Sequence, residues 1–145
     1  MALLQPPPLI RVVAAVIERD GRYLITQRRP NAVLPLLWEF PGGKVEAGES
    51  DEEALRREIW ERLEVEVRVG AHLASVTHAY PHYVIELHLY ECDLGDAEPV
   101  CKNVHSFAWV SSSEFDRYPF TPADEASVAK LIGLKLDHSG GLSPR

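Results

Sequence analysis

Hydrophobic residues alternate with polar ones in several short runs of this chain and follow a helical period in the segment after residue 50. Apolar and β-branched runs predict strands at residues 11–18, 23–26, 38–40, 65–69, 84–89 and 105–110. Asp20-Gly21, between the first two runs, is typical of a hairpin turn. Leu55, Ile59 and Leu63 recur every four residues, which predicts one buried stripe on an amphipathic helix.

Capping signals predict where two helices begin. Ser50 and Glu53 have the spacing of a capping box, so the first helix is expected to start at Ser50. Thr121 followed by Pro122 predicts a final helix through about Leu134, because proline suits the first helical position. Strands mixed with two separated helices predict an α/β or α+β sandwich.

The length of the chain and its two ends suggest a single domain. A chain of 145 residues suits one hydrophobic core, which we place at residues 9–136. Residues 1–8 are apolar but broken by three prolines, so we interpret them as a tail rather than a membrane span or a signal peptide. Residues 137–145 are expected to form a flexible tail. Two cysteines without CxxC spacing fit a reducing cytoplasm, and no membrane partner is expected.

The charge balance argues against one class of partner. The chain has 15 Lys and Arg against 22 Asp and Glu, a formal net charge of −7. An acidic protein has no general attraction for a nucleic-acid polymer, so none is expected to bind. A free nucleotide is also anionic, and it would need local arginine, lysine or metal charge.

Two glutamates on the first predicted helix carry the candidate chemistry. Glu58 and Glu61 lie three residues apart and are expected to share an exposed face away from the apolar stripe. Like charges at this spacing repel each other unless a cation or a hydrogen bond compensates them. Mg²⁺ would do so, because it prefers carboxylate oxygens and usually also binds substrate phosphates. The ordinary alternative is a charged, solvated helix face.

From Gly43 to Val65 the chain resembles the Nudix box, GX5EX7REUXEEXGU, in which U is aliphatic. The positions that fit the pattern are Gly43, Glu49, Arg57, Glu58, Ile59, Glu61 and Val65. Arg62 stands where the pattern has its last glutamate, and Glu64 stands where it has glycine. Residues 37–44 resemble the MutT branch of the family. Residues 12–21 and 118–124 look most like the bacterial CTP pyrophosphohydrolases.

This resemblance implies a Nudix α/β/α sandwich with a mixed sheet and a nucleoside triphosphate as partner. It implies Mg²⁺-dependent release of pyrophosphate from CTP-type, dCTP-type or oxidised nucleotides, with Mn²⁺ as a substitute ion. Glu58 would then be both a catalytic residue and a metal ligand, with Glu61 and the carbonyl of Gly42 as further ligands. Arg57 would orient the site by holding Glu49 through two hydrogen bonds.

The same resemblance implies a set of substrate contacts. They are Arg28, Glu39, Phe40, Pro41, Gly42, Lys44 and Asp124. Arg28 and Lys44 have an ordinary alternative as exposed cations, and Phe40 has one as a core residue. Asp124 stands where the cytidine enzymes of this branch have an aspartate, and an ionised aspartate accepts hydrogen bonds from a cytosine amino group. Its competing role is to cap the final helix together with Thr121.

Two departures from the family pattern bear on activity. The guanidinium of Arg62 cannot bind Mg²⁺, and Asn103, which aligns with a loop position that often supplies an acidic ligand, offers one neutral oxygen at best. The alternative role for Arg62 is a direct contact with phosphate. The alternative function is therefore a nucleotide-binding protein of the same fold with weak or no hydrolysis.

Overall fold

The structure, a computed structural model, describes residues 5–142, with side chains described as far as residue 133. In this part of the chain, seven strands form one sheet. The elements are β1 (Leu9–Arg19), β2 (Arg22–Gln27), β3 (Trp38–Glu39), β4 (Gly42–Lys44), α1 (Asp51–Leu63), β5 (Arg68–Ala79), β6 (Val84–Asp93), β7 (Ser106–Val110) and α2 (Pro122–Leu142), with a 3₁₀ helix at Ser112–Arg117. Residues 5–8 are exposed and have no regular structure. Neither helix in this range is long and apolar enough to cross a membrane.

The central strand of the sheet is β1. The strand order is β3-β2-β1-β6-β5, with β4 also paired to β1 and β7 also paired to β2. β1 and β6 run parallel, from Leu9 opposite Val84 to Ile17 opposite Cys92. The other pairs are antiparallel. The sheet is therefore mixed, as the sequence predicted.

The side chains of successive β1 residues pack into two separate hydrophobic cores. Val13, Ala15 and Ile17 pack with the buried side of α1, whereas Ala14 and Val16 pack in the cluster that includes residues of α2. Alternate residues of a strand point to opposite faces of its sheet, so β1 is apolar almost throughout because both faces are covered. The predicted α/β/α sandwich is confirmed.

The start of α1 and its buried stripe agree with the prediction. The backbone N–H of Glu53 donates to Ser50 Oγ over 3.1 Å, and the backbone N–H of Ser50 donates to Glu53 Oε1 over 2.9 Å. These two bonds form a capping box, which satisfies backbone donors that a helix start leaves unpaired. Leu55, Ile59 and Leu63 are fully buried.

One strand prediction needs correction, and one strand was not predicted. The strand expected at residues 65–69 begins only at Arg68 and continues to Ala79, while Val65 and Val67 are buried beside α1 outside the sheet. Alternation of apolar and charged residues indicates that one side of a segment is buried. It does not indicate that a partner strand is present. β4 was not predicted at all, because its glycines are depleted in strands generally. It forms where β1 passes very close to it.

The last helix is longer than predicted. The sequence suggested an end near Leu134, and α2 continues to Leu142. Gly140 and Gly141 lower helix propensity by about 1 kcal/mol each, but they keep the backbone N–H groups that proline would remove. The predicted tail at residues 137–145 is therefore helical through Leu142, and residues 143–145 lie outside the described residues.

Glu64 ends α1 in a conformation that suits glycine. Its φ and ψ are 56° and 39°, and its N–H donates to the carbonyl of Trp60. A side chain in this left-handed region costs roughly 1 kcal/mol. We expect Glu64→Gly to raise the free energy of unfolding by about 0.5–1 kcal/mol, because the exposed pair with Lys102 that it loses contributes little. Urea denaturation would show a higher midpoint at an unchanged slope.

The matched control for this change is Glu66→Gly. Glu66 is also exposed and carries the same charge, but its φ is not positive. Glycine there should leave stability unchanged or lower it, because it only adds freedom to the unfolded chain. Equal shifts for the two variants would show that backbone strain at Glu64 is not the cause.

Candidate active site

A cavity of about 490 Å³ lies between the sheet, the loop after β2 and the start of α2. Six of the seven substrate contacts expected from the sequence line it. They are Arg28, Glu39, Phe40, Gly42, Lys44 and Asp124, and Arg62 lines it as well. Pro41 is fully buried and does not line the cavity, and its carbonyl accepts the N–H of Ala15. The volume is in the usual range for a small-molecule site, roughly 300–1,000 Å³.

Glu58 is buried against β4 beside this cavity. Its side chain is 10% exposed. A Cβ atom added to Gly43 would lie 2.2 Å from the carboxylate carbon of Glu58, which is far inside contact distance. Glycine at this position therefore leaves the space that the carboxylate occupies.

The expectation that Glu58 and Glu61 share an exposed face was wrong. Glu58 lies at the buried edge of α1, whereas the side chain of Glu61 is 52% exposed. Arg57 lies between the two carboxylates, and its Nη1 is 3.1 Å from Glu58 Oε2 and 3.2 Å from Glu61 Oε1. The cation that compensates this like-charged pair in the structure is thus a guanidinium.

Arg57 also fixes the loop that precedes α1. Its Nε and Nη2 donate to the two carboxylate oxygens of Glu49 over 2.6 Å and 2.9 Å, as the sequence predicted. Nη2 also donates to the carbonyl of Lys44 over 2.9 Å. The hydrogen bond from Arg57 lowers the pKa of Glu49 to about 2, so this carboxylate stays ionised near neutral pH.

Acidic and basic groups alternate from α1 into the cavity. Arg62 Nε donates to Glu58 Oε1 over 2.9 Å, and Arg62 Nη1 lies 4.0 Å from Glu39 Oε2. Arg28 Nη1 lies 3.2 Å and 3.3 Å from the two oxygens of Glu39. Burial raises the pKa of Glu39, and the two arginines oppose this shift. Both oxygens of Glu58 are thus paired with arginine, one with Arg57 and the other with Arg62.

Asp124 contacts the start of α2 and also lines the cavity. It is buried, and its Oδ2 accepts the hydroxyl of Thr121 over 2.9 Å while its own N–H donates to Thr121 Oγ1. Its Oδ1 accepts the N–H of Phe40 over 3.2 Å, and the residue also lines the cavity. Burial, and then the charge of Glu39, raises the pKa of Asp124 to about 7.

Sequence reasoning missed the aromatic wall of the cavity. Tyr80 and Tyr83 stack with ring centroids 5.1 Å apart, and the hydroxyl oxygen of Tyr80 accepts the N–H of Ala123 over 3.2 Å. Both tyrosines lie between β5 and β6, in a stretch that reads from sequence only as a turn. The pairing of β6 with β1 brings them to the cavity, and no local sequence signal reports that pairing.

Asn103 lies in the loop between β6 and β7, and its side-chain oxygen is paired within the protein. Its side-chain oxygen accepts Arg29 Nη1 over 2.6 Å, and its N–H donates to the carbonyl of Arg62. It is not among the cavity-lining residues. Asn103 therefore holds the loop before β7 to the end of α1 and to Arg29, and its oxygen is already used.

The oxygen atoms near Glu58 suit a metal ion that binds together with the phosphate groups of a substrate. Across residues whose side chains are described, no group of three or more His, Cys, Asp and Glu can hold a metal by itself. Glu58 and Glu61 offer carboxylate oxygens, and Gly42 offers a backbone carbonyl. Mg²⁺ commonly binds through one or two carboxylates, retained waters and substrate phosphates, so this sparse set of hard oxygens fits that ion.

Comparison with known proteins identifies the family. A family model described as a NUDIX domain matches residues 12–130. A CTP pyrophosphohydrolase of Escherichia coli K12 is 40% identical over 127 residues, covering 88% of this chain and 94% of that protein. An 8-oxo-dGTP diphosphatase of Haemophilus influenzae is 32% identical over 126 residues, covering 86% and 92%. The solution structure of the E. coli ORF135 protein superimposes with a TM-score of 0.77 at 37% identity, covering 89% and 92%. The chain belongs to the Nudix family, as predicted.

Substitutions at the two glycines of β4 should have different effects. A Cβ at Gly42 would lie 2.0 Å from the carbonyl oxygen of Val13, which cannot move without breaking the β1–β4 pairing. The three atoms nearest to a Cβ at Gly43 belong to the carboxylate end of the Glu58 side chain, which can shift more readily than backbone. We expect Gly42→Ala to lower the free energy of unfolding by about 3 kcal/mol and Gly43→Ala by about 1 kcal/mol, measured by urea denaturation.

Gly133→Ala provides a control for adding a methyl group. Apart from the neighbouring backbone of α2 itself, no atom of the described residues lies within 4 Å of a Cβ built at this position. Alanine there should raise the free energy of unfolding by about 0.5–1 kcal/mol through helix propensity alone. If Gly42→Ala and Gly43→Ala were equally destabilising, the distinction between a backbone contact and a side-chain contact would be wrong.

Proposed function

We propose that this protein is a metal-dependent nucleotide pyrophosphohydrolase that cleaves a nucleoside triphosphate into a monophosphate and pyrophosphate. The observation that carries the proposal is a buried carboxylate, Glu58, which lies against Gly43 beside a cavity lined by several cations. The relatives named as a CTP pyrophosphohydrolase and an 8-oxo-dGTP diphosphatase support this reaction class.

Hydrolysis of a phosphoanhydride needs charge neutralisation, a positioned water and a base. Arg28, Lys44 and Arg62 bring positive charge to one cavity of an acidic protein. Glu58 and Glu61, with the carbonyl of Gly42, would hold Mg²⁺ or Mn²⁺, which when bound neutralises charge on phosphate oxygens. Arg57 positions Glu58 and keeps the loop of Glu49 in place.

The part of the cavity near α2 suits a nucleobase. Tyr80 and Tyr83 offer aromatic surface, and Phe40 lines the same space although it is mostly buried among other rings. Asp124 adds a buried hydrogen-bonding group. A carboxylate there accepts a hydrogen bond from an exocyclic amino group, so we propose cytosine nucleotides as substrates, with oxidised nucleotides as the second class.

One observation favours the alternative, a nucleotide-binding protein with little hydrolysis. Both oxygens of Glu58 already accept hydrogen bonds from arginines, and Arg62 occupies the position of a family carboxylate. A panel of nucleoside triphosphates with Mg²⁺, monitored for pyrophosphate and for orthophosphate, separates the two functions. Pyrophosphate release supports the proposal, whereas measurable binding without release of either product supports the alternative.

Neutralising Glu58 tests the site directly. We expect Glu58→Gln to lower kcat for the best nucleotide of the panel by about 10²–10⁴-fold, the usual cost of losing a base. Glu52→Gln is the control, because Glu52 is exposed on the same helix and should keep its wild-type rate. Thermal unfolding would verify that both variants are folded. A wild-type kcat in folded Glu58→Gln would show that Glu58 is not part of the reaction.

The raised pKa of Asp124 predicts a pH-dependent choice of base. Below a pKa of about 7 the neutral acid can donate a hydrogen bond to a uracil carbonyl, and above it the carboxylate only accepts one. The ratio of kcat/KM for CTP to that for UTP should therefore rise as pH increases through about 7. We expect a change of about tenfold between the two protonation states, as for one buried polar contact.

Asp124→Asn is the test variant for this dependence. Its amide does not titrate, so the CTP-to-UTP ratio should become independent of pH and smaller than the wild-type ratio at high pH. Groups that titrate in the hydrolysis step itself change kcat/KM for CTP and for UTP by the same factor, so their effect cancels in the ratio. A flat wild-type ratio, with Asp124→Asn losing only thermal stability, would leave Asp124 with its capping role alone.

A further inference from the structure

Arg62 presents unused donors to the cavity. A guanidinium has five N–H groups, and within the described residues the side chain of Arg62 makes one hydrogen bond, from Nε to Glu58. Its Nη1 lies 4.0 Å from Glu39, beyond hydrogen-bond distance. The side chain is 26% exposed and lines the cavity. Donors on both terminal nitrogens therefore remain for a ligand.

The protein holds this guanidinium in position from two sides. The carbonyl of Arg62 accepts the N–H groups of Lys102 and Asn103 over 3.1 Å and 3.0 Å, which ties the last turn of α1 to the loop before β7. Glu58, one helical turn earlier, holds the Nε end. A cation fixed before the ligand arrives loses little conformational freedom on binding.

The other two cations of the cavity are arranged differently. Arg28 uses Nε on the carbonyl of Val33 and Nη1 on Glu39, so most of its charge is matched inside the protein. Lys44 is exposed at the edge. Arg62 alone of the three lies in direct contact with Glu58, the proposed metal ligand. It is therefore placed where the phosphate groups of a nucleotide would meet the metal-binding carboxylates.

We propose that Arg62 binds phosphate oxygens of the nucleotide directly and that the protein consequently holds a polyphosphate chain even without a metal ion. The planar guanidinium can donate two parallel hydrogen bonds to one phosphate, which a lysine cannot. A carboxylate at this position could neutralise phosphate charge only by binding a cation. The guanidinium of Arg62 carries a positive charge itself and therefore supplies part of that neutralisation. The inference rests on the proposed function and names the phosphate-binding residue of that site.

Binding of inorganic tripolyphosphate in EDTA tests this inference without activity and without a choice of base. Isothermal titration would give the dissociation constant for the wild type, Arg62→Gln, Arg62→Lys and Arg56→Gln. We expect wild-type binding, a loss of about tenfold in Arg62→Gln, and a smaller loss in Arg62→Lys, which keeps the charge but not the paired donors. Arg56 is exposed on the same helix outside the cavity, so Arg56→Gln should match the wild type.

Mn²⁺ binding measured by electron paramagnetic resonance gives a second readout. If Arg62 stands in for metal charge, Arg62→Glu should bind Mn²⁺ at least about tenfold more tightly than the wild type while binding tripolyphosphate in EDTA more weakly. Thermal unfolding would establish that each variant is folded. A purely structural Arg62 would change stability and leave the affinity of the folded protein for tripolyphosphate unaltered.

The outcomes separate this inference from the proposed function. A wild type that does not bind tripolyphosphate in EDTA, or a folded Arg62→Gln that binds it as tightly as the wild type does, overturns the inference even if nucleotides are hydrolysed. Conversely, the expected affinities in a protein that hydrolyses no nucleotide of the panel overturn the proposed hydrolysis and support a phosphate-binding role for Arg62.

Discussion

The guanidinium of Arg57 is the interaction on which the site depends. It joins the two oxygens of Glu49, the carbonyl of Lys44 and the carboxylates of Glu58 and Glu61. Without this charge, two glutamates of one helix would repel each other, and one oxygen of the buried Glu58 would lose its hydrogen-bond partner, which is costly. The same contacts hold the loop between β4 and α1. Loop geometry and carboxylate placement are therefore set together.

Close backbone packing explains why this charge network lies beside a cavity. β4 approaches β1 so closely that Gly42 leaves no room for a side chain, and the next residue, Gly43, makes space for Glu58. The buried edge of α1 thus reaches the cavity wall. The catalytic chemistry that we propose depends on the absence of a side chain at Gly42 and Gly43 as much as on the carboxylates.

The replacement of a carboxylate by Arg62 changes the electrostatics of this wall. Where the Nudix pattern has a further negative charge, this chain has a cation that pairs with Glu58 and approaches Glu39. A buried and a partly buried carboxylate can be tolerated close together only when such charges compensate them. A bound phosphate chain would add negative charge to the same place, so the proposed function requires the charges of metal, arginine and phosphate to balance there.

The sequence by itself determined the local features: the cap at Ser50, the apolar stripe of α1, the Arg57–Glu49 pair and the family with its mixed α/β fold. The cap and the stripe follow from short-range spacing, which sequence reports directly, whereas the Arg57–Glu49 pair and the mixed fold were implied by the resemblance to the Nudix box. Tertiary structure alone decided that Glu58 is buried while Glu61 is exposed, and that Asp124 both contacts Thr121 at the start of α2 and lines the cavity. It also decided which aromatic residues form the wall. The reason is physical: burial and hydrogen-bond partners depend on strands distant in sequence, whose pairing no local pattern encodes.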